Sequence, residues 1–113
     1  MVTQKYRWDC GVCCLAMALG LTWKEARKLL PKPHRKGYFP GEIAKAAGVK
    51  IRRGTPQKES LERCILHVSL EKGRMAHHFI WSENGLHDPY PNPRIVKWED
   101  IKAIESVIPI AKP

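Results

Sequence analysis

Two patterns of apolar residues divide the chain. From Cys10 to Leu19 every residue is small or apolar, and Gly20 follows. That run predicts a helix over residues 10–19, buried on nearly all sides and stopped by the glycine. Thr22-Trp-Lys-Glu25 has the spacing of a capping box, so a second, short helix should open there and end before Pro31. The stretch from Pro31 to Pro40 contains Pro33 and Gly37 and reads as a loop. A third helix is predicted over about residues 41–47, ending at Gly48, with a short strand over 49–52.

The second half carries strand signals. Cys64 to Leu70 is rich in branched apolar residues, Gly73 breaks the run, and His77 to Ser82 reads as the next strand. Asn84-Gly85 is a hairpin-turn signal, which places a further strand over Leu86 to Asp88. Pro89, Pro91 and Pro93 end regular structure; Trp98 to Ile104 suits a helical turn and Ser106 to Ile110 a last strand. Helices first and antiparallel strands later predict an α+β fold, with the N-terminal helices packed on a C-terminal sheet. The 113 residues fit one domain, 1–113, without repeats or a long linker.

Composition narrows the setting. No stretch is long and apolar enough to cross a bilayer, and residues 1–7 lack the apolar centre of a signal peptide. A cytoplasmic protein with free thiols, not a disulfide scaffold, is therefore expected from its four cysteines. The net charge of +9 is spread along the chain, with local clusters at 32–36 and 52–53. It suits an acidic substrate or partner, and alone it would give only salt-sensitive, non-specific attraction. No nucleic-acid motif accompanies it, so nucleic acid is not the expected partner.

The candidate chemistry begins with Gln4, six residues before Cys10, which itself stands where the first helix starts. A helix N-terminus favours a thiolate, and its unpaired amides can bind an anion. The Gln4 amide can add a second donor to the same oxyanion. Downstream, His78 and Asp88 are the residue types that deprotonate a thiol and orient the base. Adjacent His77 competes with His78, since neighbouring strand residues face opposite sides. Gly11 would let another backbone approach the thiol. His34, His67 and His87 read as ordinary polar residues and Cys14 as core. Asp88 has a structural alternative, as the cap of an Asp-Pro turn.

Gln4, the block Asp9-Cys10-Gly11 leading into Leu15-Ala16-Met17, His78-Phe79-Ile80 and Asp88-Pro89 together resemble the papain-like cysteine peptidases. Among these, the similarity is to the bacteriocin-processing, double-glycine group, and it spans roughly residues 4 to 89. The resemblance implies a papain-like fold and hydrolysis of a peptide or related amide bond. It implies Cys10 as nucleophile, His78 as base and acid, Asp88 as orienter and Gln4 as oxyanion donor. It selects His78 over His77, because the family's histidine directly precedes an aromatic. No cofactor and no metal is implied. Trp81, Tyr90 and the loop 89–93 are candidates to line the cleft. Two departures stand out: Cys13 replaces a small non-thiol residue, and the interval from His78 to Asp88 is tighter than usual. With no transporter segments attached, a double-glycine leader need not be the substrate.

Three other readings compete. Cys10-x-x-Cys13 with Cys64-x-x-His67 has the make-up of a zinc set, although residues three apart on a strand face opposite ways. Cys10-Gly-Val-Cys13 has redox-motif spacing, but only nine residues precede it, too few for the expected βαβ start. A catalytically inactive papain-like protein could bind a host or partner protein, as small basic phage and mobile-element factors do.

Overall fold

The computed structural model describes residues 2–6, 8–35, 37–53, 63–69, 77–91, 93, 95, 97–101 and 103–110. Helix α1 (Cys10–Leu19) has the predicted bounds and closes on Gly20, whose φ of 66° lies in the left-handed region. Its apolar residues surround the axis, and all from Cys10 to Ala16, with Ala18, are buried. Helix α2 (Trp23–Lys28) opens on the predicted capping box. Glu25 N donates to Thr22 Oγ1 at 3.2 Å, and Thr22 N donates to Glu25 Oε1 at 3.0 Å. Helix α3 (Pro40–Ala47) starts one residue earlier than expected. Proline is suited to that first helical position, where its missing N–H removes no helical bond.

The strands are β1 (Arg52–Arg53), β2 (Cys64–Ser69), β3 (His77–Ser82), β4 (Leu86–His87) and β5 (Ala103–Pro109). They form one antiparallel sheet in the order β1-β5-β2-β3-β4. The α+β reading therefore holds. The strand expected over 49–52 contracts to Arg52–Arg53, because Val49 N still serves the end of α3, donating to Ala44 O at 3.0 Å. The last strand begins at Ala103, earlier than expected, because it follows β2 past a register shift between His67 and Val68. The helical turn before it is correspondingly limited to Trp98–Asp100. Leu70 and the break at Gly73 lie outside the described residues.

Strand alternation gives the sheet two apolar faces. Ile65, Phe79, Trp81 and Ile108 pack with α1 and with Ile43 of α3. Leu66, Val68, Ile80 and Val107 pack with Ile95. The helical face fixes α1 against β3, and so sets the start of α1 near the strand that carries His78. Among the described residues, no helix is long and apolar enough to cross a membrane.

Candidate active site

Cys10 is the first residue of α1 and is 8% exposed. Its thiol lies near enough to the His78 ring to raise that ring's pKa. The other side of that ring is held by Asp88: His78 Nε2 lies 2.6 Å from Asp88 Oδ1. With Nε2 committed to the carboxylate, Nδ1 is the nitrogen left for the sulfur. Asp88 is itself fixed by backbone donors, Tyr90 N at 3.1 Å and Ile95 N at 3.2 Å. The same carboxylate thus both accepts from the turn that follows it and contacts the His78 ring. Burial alone would lower the His78 pKa; the hydrogen bonds from Asp88 and Cys10 outweigh it and hold the imidazolium up to about 9.

The short interval between His78 and Asp88 follows from the hairpin. Trp81 pairs with His87 and Ser82 with Leu86, leaving residues 83–85 as the turn. Asn84 (φ 54°) and Gly85 (φ 126°) occupy its left-handed positions. Counting the same register onward sets Tyr90 opposite His78 and Asp88 on the diagonal, within side-chain reach. Tyr90 accordingly stacks on the His78 ring, with centroids 4.3 Å apart and planes 15° from parallel. The side chain of His77 lies outside the described residues.

The loop before Cys10 is shaped by Asp9, a residue whose role the sequence does not reveal. Asp9 stands at the helix N-cap but makes no side-chain cap bond, and it is fully buried. Its carboxylate turns back to accept from Lys5 N at 2.8 Å, Tyr6 N at 3.1 Å and Trp23 Nε1 at 2.9 Å. An aspartate before a helix reads as a cap; the only hint of another role is the aromatic residues around it. Gln4 is buried within this loop, and its N–H donates to Pro89 O at 2.7 Å, tying the loop to the Asp88 segment. Its Nε2 donates to Tyr6 O at 2.6 Å, which leaves the second Nε2 hydrogen free of that bond, while Oε1 has no partner among the described residues.

Several sequence expectations resolve differently. Gly11 does not admit a backbone: a Cβ there would lie 2.8 Å from Ile43 Cδ1 and 3.3 Å from Phe79 Cδ2, so two side chains use the space. Trp81 is largely buried, with the Arg63 guanidinium 5.5 Å over its ring, and borders a pocket of about 330 Å³ shared with Ala16, Met17 and His87, away from the start of α1. Cys13, Cys14 and Cys64 are buried, and none is in a disulfide. Burial pushes the Cys13 and Cys14 thiols far up and the Cys64 thiol to about 11. His87 bonds Glu83 O at 3.0 Å, His34 pairs with Glu42, and the His67 ring packs at a tilt of 37° against Phe79. Among the described residues no three His, Cys, Asp or Glu side chains gather as a metal site, so Cys10, Cys13, Cys64 and His67 do not form the zinc set. No family model matches the chain, and no curated protein or solved structure shows significant similarity to it.

Proposed function

We propose that the protein is a papain-like cysteine peptidase or a closely related thiol amide hydrolase. The carrying observation is the buried His78–Asp88 pair, 2.6 Å apart, with the Cys10 thiol near enough to raise the His78 pKa. An imidazolium beside the sulfur is the partner an attacking thiolate needs. The sulfur adds to a substrate carbonyl carbon, and the carbonyl electron pair moves to oxygen. The Cys10 backbone N–H and the remaining Gln4 amide hydrogen are the donors for that oxyanion. As the C–N bond breaks, His78 gives its proton to the leaving amine. His78 then takes a proton from water, hydroxide adds to the thioester, and the acid leaves with the thiol restored.

The test is turnover of a defined peptide mixture, read by mass spectrometry, with Cys10→Ala and His78→Ala beside the wild type. Both variants should fold and neither should cleave. Cleavage that survives Cys10→Ala rejects the nucleophile. Alkylation of Cys10 no faster than of a simple thiol favours a protein that binds without cutting.

A further inference from the structure

A groove of about 500 Å³ opens between the start of α3 and the sheet. Phe39, Pro40 and Gly41 border it on the helix side; Ile51, His67, Glu105 and Ser106 complete it. His67 and Ser106 are paired neighbours across β2 and β5. One layer of side chains separates the groove from the start of α1. The His67 and Phe79 rings pack with centroids 4.7 Å apart and planes tilted by 37°, and Phe79 in turn abuts Gly11. Phe79 follows His78 and Gly11 follows Cys10.

Two features describe an occupant. Phe39 is 63% exposed, the most exposed large apolar side chain among the described residues. With Ile51 it offers an apolar contact that a substrate side chain would cover. Glu105 is, among the described residues, the sole carboxylate bordering the groove, in a chain of net charge +9. A surface so basic attracts acidic peptides at many places. A carboxylate beside the apolar contact discriminates against them there and favours a cationic side chain.

We infer that this groove receives the peptide segment of the substrate, an apolar side chain against Phe39 and Ile51 and a lysine or arginine beside Glu105. The inference rests on the proposed hydrolase reading and names its substrate class: peptides that combine an apolar with a basic residue.

The experiment uses the full chain carrying Cys10→Ala, so that binding is measured without turnover. Amidated octapeptides of alanine and serine, each with one leucine and one arginine one to three residues away, are titrated against backbone amide resonances. Analogues with glutamate in place of arginine are titrated in parallel. Shifts are expected at Phe39, Gly41, Ile51 and Glu105, with the arginine peptide bound roughly threefold to fivefold more tightly than the glutamate one, as suits a partly exposed ion pair. Glu105→Gln should remove the preference and Glu105→Lys reverse it. Phe39→Ser should weaken both peptides alike. Shifts confined elsewhere, no binding, or a preference that survives Glu105→Lys overturns the assignment. Alkylation of wild-type Cys10 is followed separately. A reactive thiol without groove binding refutes the groove alone, and groove binding beside an inert thiol refutes the hydrolase alone.

Discussion

Trp23 Nε1 donates to Asp9 Oδ2 at 2.9 Å, a bond that ties the first turn of α2 to the residue preceding Cys10. The same carboxylate takes the N–H groups of Lys5 and Tyr6, so the loop carrying Gln4 is clamped from both sides.

Asp9→Asn replaces one acceptor oxygen by a donor facing other donors. We expect a loss of about 1–3 kcal/mol in urea unfolding, the cost of leaving buried groups unsatisfied. Trp23→Phe should lose less, about 1 kcal/mol, since only one bond goes. In the double variant the two losses should add to less than their sum, because both remove the same bond. Full additivity would show that the Asp9–Trp23 bond contributes nothing.

The His78 imidazolium sets a pH dependence of stability. Its pKa is raised in the folded protein, to about 9. The unfolded value is about 6.5. The folded state therefore binds the proton more tightly. The stability this contributes is fully present below about pH 6.5 and is lost as pH rises through about 9. Urea midpoints should fall across that window. His78→Gln should flatten this part of the profile, and a profile unchanged by that substitution would contradict the pairing.

The thiols should separate sharply. Cys13, Cys14 and Cys64 are buried, with pKa values pushed up, whereas Cys10 heads α1 near enough to His78 to raise the pKa of its ring. Native protein treated with iodoacetamide at neutral pH should gain one adduct, on Cys10. The other three should react only after unfolding. Peptide mapping that finds native labelling on Cys13 would return attention to the Cys10–Cys13 redox pair.

Gly11→Ala should destabilise the fold by about 1–3 kcal/mol, because the added methyl overlaps Ile43. Ile43→Val removes the offending Cδ1 and should restore part of that loss in the double variant, as measured by thermal unfolding. Equal stability of wild type and Gly11→Ala would show that the contact yields freely.

Much of the fold was written locally. The bounds of α1, the capping box of Thr22 and Glu25 and the left-handed ends at Gly20 and Gly48 each depend on a few neighbouring residues. The length of β5 was not legible, since it depends on β2, a distant partner with a register shift. The pairing of Cys10 with His78 followed from resemblance as much as from chemistry. The role of Asp9 was not legible, because its carboxylate serves Lys5 and Tyr6 N–H groups and the Trp23 indole of another helix. Tyr90 was suggested as a cleft residue, but its stacking on His78 needed the hairpin register to appear.

That hairpin acts as a ruler. Asp88 and Tyr90 meet His78 because residues 83–85 return the chain with a fixed parity. One inserted residue in the bend would shift every later side chain to the opposite face, carrying the carboxylate away from the imidazole. Two would restore the parity but displace the carboxylate along the strand. The spacing of the His78–Asp88 pair is thus measured out by a bend that takes no part in the chemistry.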